Sequence, residues 1–373
     1  MTNLVLYRKY RPKTFGDVMG QEHVIRVLTN ALLANKVSHA YLFTGPRGTG
    51  KTSMARLLAK AVNCENLQTM PHSGTNCKLQ TNYEPCNQCS SCREINQGKA
   101  IDLIEIDAAS NRGIDEMREL REGIKFVPVK SKYKVFVIDE CHQLTKEAAN
   151  ALLKTLEEPP MHAIFILATT EPQKMIATII SRCQRFDFCR LKAKEIFETL
   201  EKILKQEKID FEPQALNLIA LSSCGSLRDA ETLLDQAISF SGAESLVKKE
   251  IVEKILGITD NEIIFKFLNY VFQKQTKSAV EFLEEIIYKG IDLQEFAKTL
   301  IIYLRGLLLL KISPGFQDTL ILLSEEEKEK FNELAKNLSE KELKDLLEKI
   351  MAAETKMKYS SLPQLLLELA IIE

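Results

Sequence analysis

The sequence contains no tryptophan, and aromatic residues make up only 7% of it. It also lacks an excess of either charge: 50 Lys and Arg stand against 51 Asp and Glu, a formal net charge of −1. That excludes a chain drawn to nucleic acid or to an anionic membrane by its overall field. A nucleic-acid role would need a local basic surface or an assembly that concentrates one. No apolar run is long enough to span a bilayer, Leu307–Leu310 and its flanks included. The N-terminus, Met1-Thr2-Asn3-Leu4, lacks the layout of a signal peptide. There is no internal repeat and no low-complexity segment. The expectation is a soluble, cytoplasmic protein without membrane contact, of two or three domains given its 373 residues.

Cysteine, in contrast, is plentiful: there are nine. Without a secretory signal they argue against a disulfide framework, and their clustering points to metal. Cys86-x-x-Cys89-x-x-Cys92 supplies three thiolates at close spacing, and tetrahedral zinc needs a fourth. Cys64 or Cys77 can supply it, and the sequence leaves both open. No water-activating ligand set accompanies them, so the expected site is structural. Cys141, Cys183, Cys189 and Cys224 have no partners at ligand spacing and read as buried or inert thiols.

The most specific motif is Gly45-Pro46-Arg47-Gly48-Thr49-Gly50-Lys51-Thr52, followed by Ser53. An apolar run, Ala40-Tyr41-Leu42-Phe43, enters it. A helical stripe of Met54, Leu57, Leu58 and Val62 leaves it. Glycines let the backbone fold close around a phosphate, and the helix that follows presents its positive dipole end there. In such a loop Lys51 reaches the β/γ-phosphates and the Thr52 hydroxyl holds Mg²⁺. A nucleoside triphosphate and Mg²⁺ are the expected ligands.

A second signature is Val135-Phe136-Val137-Ile138-Asp139-Glu140. Four apolar residues make a central strand that delivers two carboxylates to the edge of a sheet where ligands bind. Asp139 is placed for Mg²⁺ and Glu140 for orienting and deprotonating a water. His142 reads as a polar support for that pair. Thr170, after the strand Ile164–Ala168, can touch a γ-phosphate or its water. Arg182, in Ser181-Arg182-Cys183, can serve the γ-phosphate of a neighbouring subunit, as arginine fingers do. Arg228 lies in the first turn of a helix beginning at Gly225-Ser226-Leu227, a poor place for a cation unless an anion is near.

The fold expected from these patterns is α/β. Strand candidates Tyr41–Thr44, Leu103–Ile106, Val135–Ile138 and Ile164–Ala168 alternate with helices, which predicts a parallel sheet covered on both faces. Three regions separate: 1–184, the nucleotide-binding domain with a cysteine-bearing insertion at about 64–97; 185–242, a small helical lid; and 243–373, all α-helical with no strand signal. Ser339-x-x-Glu342 is a capping box ahead of the stripe Leu343, Leu346, Leu347, Ile350, Met351, and Ser324-x-x-Glu327 starts another helix.

Taken together, these residues resemble the AAA+ family and, within it, the gamma/tau clamp-loader ATPase family of bacterial DNA polymerase III. The narrower resemblance rests on Tyr7-Arg8-Lys9-Tyr10-Arg11-Pro12-Lys13-Thr14-Phe15 with Gly20-Gln21-Glu22-His23. It rests also on the cysteine insertion, on Leu152-Leu153-Lys154-Thr155-Leu156-Glu157-Glu158-Pro159-Pro160 and on Ser181-Arg182-Cys183. It covers essentially the whole chain. The resemblance implies that Tyr7, Arg11, Pro12, Val18 and Met19 form the adenine-side segment. It makes Gly45 to Thr52 the Walker A loop and Asp139 with Glu140 the Walker B pair. Thr170 becomes sensor 1, Arg228 sensor 2 and Arg182 the trans-acting finger. The third region becomes a collar that closes a five-membered ring of this chain with delta- and delta-prime-type subunits. The implied function is ATP-driven loading of a sliding clamp (beta) onto primer-template DNA. DNA contact would be sequence-independent, through the segment after Asp107, with Arg112 and Arg118 as candidates. The chain departs from the family pattern at Asn111, where a basic residue is expected, and in the additional loop between Cys64 and Cys77.

Overall fold

The computed structural model describes residues 5–66, 83–110, 122–242, 246–256, 261–312 and 339–372. They fall into two compact units, Met1–Lys208 with Ile219–Asp235, and Ile209–Leu218 with Gln236–Glu373.

The first unit is built on a five-stranded sheet. Strands β1 (Ala40–Thr44), β2 (Leu103–Asp107), β3 (Lys134–Asp139), β4 (Ala163–Thr169) and β5 (Gln184–Asp187) lie in the order β2-β3-β4-β1-β5, every neighbouring pair parallel. Side chains alternate across it. Tyr41, Phe43, Val135, Val137, Ile164 and Ile166 face one layer, with Val24, Leu28 and Leu32 of the helix Glu22–Leu33 and Met54, Leu57 and Leu58 of the helix Lys51–Val62. Leu42, Phe136, Ile138, Phe165 and Leu167 face the other, with Ala148, Leu152 and Leu156 of the helix Lys146–Glu157. Being buried on both faces is why β1, β3 and β4 read as unbroken apolar runs.

β5 was not among the expected strands. It is an edge strand, exposed at Gln184, Arg185 and Asp187 and buried only at Phe186, so it carries no apolar run. Its pairing with β1 extends the sheet past the expected boundary at 184, which falls inside the strand.

The second unit is helical. Ile264, Phe267 and Leu268 of the helix Asn261–Phe272, Leu283 and Ile286 of Thr276–Tyr288, and Phe296, Leu300 and Leu304 of Leu293–Ile312 share one core. Leu343 and Ile350 of Glu340–Met357 and Leu367 of Pro363–Ile372 complete it. The Ser339 hydroxyl accepts from the Glu342 amide and the Glu342 carboxylate accepts from the Ser339 amide, the reciprocal cap the sequence predicts. Met351, expected in the buried stripe, is exposed, because it lies past the edge of the face centred on Leu343 and Ile350. One correction concerns strands: Leu246–Val247 pairs in parallel with Asp210–Phe211. Two residues are too few to leave a period-2 signal. Ser324 and Glu327 lie outside the described residues. No helix among the described residues is long and apolar enough to cross a membrane.

Ahead of β2 the buried Asp102 ties down the loop leading to β3. Its carboxylate accepts from the amides of Val129 (2.8 Å), Lys130 (2.9 Å) and Ser131 (2.9 Å). Burial works against its charge, but these donors hold its pKa below the ordinary carboxylate value. A depressed folded pKa gives stability that is present above the unfolded pKa and is lost as pH falls through the folded one. Asp102→Ala is therefore expected to lower unfolding free energy by about 2–4 kcal/mol at neutral pH, with the gap to wild type narrowing in acid; urea titrations at the two pH values measure it.

Candidate nucleotide and metal sites

The phosphate loop leaves the carboxyl end of β1 and enters the helix Lys51–Val62. Its backbone is left-handed at Gly48 (φ 75°) and Gly50 (φ 97°). At Gly48 the constraint is also steric. A Cβ there would fall 1.9 Å from the Ser226 hydroxyl, and the neighbouring Leu227 amide donates to the Gly48 carbonyl at 3.2 Å. The loop is thus seated directly on the start of the helix Leu227–Ser241.

Lys51 is buried, and its ammonium donates to the carbonyls of Gly45 and Pro46, both at 2.7 Å. Burial lowers its pKa, while the nearby Glu140 and Asp139 pull the other way. The Thr52 hydroxyl donates to Asp139 at 2.7 Å, so the two residues expected to hold Mg²⁺ already meet. Glu140 is in the left-handed region (φ 48°), a strained conformation for a side chain with Cβ. Its carboxylate accepts from the Thr170 hydroxyl at 2.9 Å. Behind it, His142 contacts the Thr169 hydroxyl at 3.0 Å and lies 3.4 Å from Glu140, the supporting position the sequence suggests.

A cavity of about 460 Å³ opens over the loop. It is lined by the loop from Arg47 to Ser53, by Asp139 and Glu140, by Tyr7, Arg11, Pro12, Val18 and Met19, and by Arg228. Every one of these was singled out in the sequence. The Arg228 guanidinium stacks over the Tyr7 ring at 5.0 Å, which joins the helix to the N-terminal segment. An adjoining cavity of about 670 Å³ continues past Thr170 and is lined by Gly45, Pro46, Arg47, Glu140, Arg185 and Arg190, among others. Arg182 lines neither cavity. Its guanidinium is bound to the Thr178 carbonyl (2.8 Å) and the Glu157 carboxylate (2.5 Å) of its own chain.

Sequence reasoning missed several lining residues, Glu231 above all. It is 6% exposed yet lines the nucleotide cavity, and burial pushes its pKa up to about 7 against the pull of Arg11. It sits three positions after Arg228, so helical spacing alone could have placed it on the same face. Asp17 and Asp107 were missed likewise.

Among the described residues Cys64, Cys86, Cys89 and Cys92 come together, and their sulfurs all lie within 4.8 Å of one another. Tetrahedral zinc at its usual sulfur bond length spaces its ligands about 3.8 Å apart, so the four fit one ion after small adjustment. Backbone amides already point at the sulfurs: Gln88 (3.4 Å) and Cys89 (3.3 Å) at Cys86, and Cys86 (3.4 Å) at Cys64. Burial opposes ionisation of Cys86, but these amides bring its pKa below the usual thiol value. Cys92 and Cys64 are raised by burial. Several thiolates crowded together disfavour one another, and a central dication removes that conflict. Cys77, the other candidate fourth ligand, lies outside the described residues, as do Asn111, Arg112 and Arg118. Of the remaining cysteines Cys141 is buried, Cys183 is half-buried, and Cys189 and Cys224 are exposed.

Three family models match in succession: "DNA polymerase III, delta subunit" over residues 20–192, "DNA polymerase III clamp loader subunit, ATPase lid domain" over 195–243, and "DNA polymerase III subunits gamma and tau domain III" over 247–373. The architecture therefore has three domains: a parallel-sheet nucleotide-binding domain of AAA+ type, a small helical lid and an all-α C-terminal domain. DNA polymerase III subunit tau of Bacillus subtilis is 44% identical over the whole chain, and the chain spans 63% of that relative. The tau subunit of Escherichia coli is 42% identical over 84% of the chain, which covers 47% of it. A DNA polymerase III subunit gamma of Buchnera aphidicola is 39% identical over 84% of the chain, and 80% of that relative is covered.

The buried Glu231 yields a test of the site's electrostatics. A carboxyl whose folded pKa lies above its ordinary value of 4.5 binds more protons folded than unfolded, so stability falls as pH rises from about 4.5 to about 7. Glu231→Gln should remove that slope. By thermal unfolding its gain over wild type should be small at about pH 5 and on the order of 1 kcal/mol or more at about pH 8.

Proposed function

We propose that this chain, which belongs to the gamma/tau clamp-loader family of bacterial DNA polymerase III, is an ATP-hydrolysing motor subunit that loads sliding clamps onto primer-template DNA. The observation that carries the proposal is the meeting of Thr52 with Asp139 at 2.7 Å, beside Glu140 and at the mouth of one cavity. A protein that only binds nucleotide needs the phosphate loop and Asp139. Glu140, held by Thr170, adds a base for water.

In this reading the loop amides and Lys51 take the phosphates, and Lys51 exchanges its two carbonyl partners for phosphate oxygens. Mg²⁺, held by Thr52 and Asp139, would neutralise charge on the phosphates. Glu140 orients the attacking water and accepts its proton. Thr170 fixes the carboxylate and touches the γ-phosphate side, and Arg228 meets the nucleotide from the lid. Tyr7, Arg11, Pro12, Val18 and Met19 enclose the base. Arg182 serves the site of an adjacent subunit, which accords with its place outside both cavities of its own chain. The ring joins copies of this chain to delta- and delta-prime-type subunits through residues 243–373. It holds the beta clamp and the DNA backbone, with Arg112 and Arg118 as contacts. A first domain boundary that lies past β5 rather than at 184, a second near 242 and a cytoplasmic location complete the reading. Cys64, Cys86, Cys89 and Cys92 hold one structural Zn²⁺.

Lys51→Ala should abolish ATP turnover by the assembled complex. Arg182→Ala should leave ATP binding intact while cutting turnover by about 10³-fold or more, measured with clamp and primed DNA. Full turnover by the isolated chain would refute the trans-acting role. Metal analysis should give about one Zn per chain, lost in Cys89→Ser. Stable protein free of metal would refute the zinc assignment.

A further inference from the structure

The cysteine module is joined to the nucleotide cavity by a set of bonds that neither motif requires. Glu84, two residues before Cys86, accepts from two successive amides with its two oxygens, Phe15 at 2.7 Å and Gly16 at 3.0 Å. Lys60, near the end of the phosphate-loop helix, is 2% exposed. Its ammonium donates to the Lys13 carbonyl (2.6 Å) and to the side-chain oxygens of Asn87 (2.7 Å) and Asn96 (3.0 Å). Asn87, between the ligands Cys86 and Cys89 and held at φ 56°, donates to the same Lys13 carbonyl at 3.2 Å. The gripped residues 13–16 are the middle of the segment from Arg11 to Met19, whose two ends line the nucleotide cavity. Asp17, itself a lining residue, closes that turn by accepting from the amides of Lys13 (3.0 Å) and Thr14 (2.8 Å).

We propose that the cysteine module is a brace for the base side of the nucleotide site, with Glu84 and Lys60 as its positioning residues. Metal at the four sulfurs fixes the loop that carries Glu84 and Asn87. Those residues fix 13–16, and the fixed turn sets Arg11, Pro12, Val18 and Met19 around the base. Among the described residues the brace reaches the phosphate side through the far end of the helix Lys51–Val62, where Lys60 lies ten residues past Gly50. Base contacts should therefore depend on it, and phosphate contacts should not. This rests on the nucleotide and metal readings above.

The test uses the full chain and two probes, ADP and inorganic tripolyphosphate, with metal content measured on every sample. Glu84→Ala should keep its metal, lose about tenfold in ADP affinity and bind tripolyphosphate as wild type does. Glu84→Gln, which keeps one acceptor oxygen, should lie between. Stripping the metal from wild type should weaken ADP selectively in the same way. Unchanged ADP affinity in Glu84→Ala, or equal loss of both probes, overturns the brace. A wild-type chain that binds tripolyphosphate and ADP but holds no metal overturns the metal's part in it. A wild-type chain that binds neither probe overturns the nucleotide-site reading, and the brace with it.

Discussion

A parallel sheet buried on both faces can offer polar groups only at the ends of its strands, and the candidate site follows from that constraint. β1, β3 and β4 are apolar along their lengths because helices cover them above and below. What the sheet withholds along its faces it concentrates at its carboxyl edge: the loop after Thr44, the pair Asp139 and Glu140, and Thr169 with Thr170. The order β2-β3-β4-β1-β5 puts β4 between β1 and β3, so the loop after β1 must reach across to meet Asp139. The Thr52–Asp139 hydrogen bond is where it does so. Strain at Glu140 is the local cost of turning two consecutive carboxylates outward from one strand end, on the order of 1 kcal/mol.

The buried charges show where stability has been given up. Lys51, Lys60, Asp102 and Glu231 are each under 10% exposed. Asp102 and Lys60 have three partners apiece, and theirs is the arrangement expected of a charge that serves structure. Lys51 bonds to two carbonyls of its own loop, a weaker substitute for an anion. Glu231 shifts towards its neutral form. The two groups whose needs the protein meets least well both line the same cavity.

How much of this is readable from sequence depends on whether the signal is local. Continuous apolar runs gave away β1, β3 and β4, and glycines at positive φ gave away the loop. β5 escaped because an edge strand carries one buried side chain in four. The three close cysteines were legible. For the fourth the sequence left Cys64 and Cys77 open, since Cys64 meets the other three only through the path of the chain after the helix Lys51–Val62. Glu84 was invisible for a deeper reason. Its partners are backbone amides 68 and 69 residues away, and an amide leaves no trace in a sequence. Glu231 shared a helical face with Arg228 and could have been found by periodicity. A lone carboxylate in a charged helix, however, carries no mark of burial.

Two elements meet at Gly48, and that contact makes the helix start one wall of the site. The carbonyl of Gly48 accepts from Leu227, and the absent Cβ leaves room for Ser226. The helix that begins there carries Arg228 and Glu231 into the cavity. On the far side Tyr7 stacks on Arg228. A ligand in the cavity is therefore held by the sheet edge, the N-terminal segment and this helix together, yet the helix touches the loop through one hydrogen bond and one hydroxyl. The sheet edge is fixed by its strand ladder, and the N-terminal segment is tied at residues 13–16 to the cysteine module. Just ahead of the helix the Gly225 carbonyl accepts from the Leu191 amide at 3.1 Å, so its start is tied to the segment that follows β5 as well as to the loop.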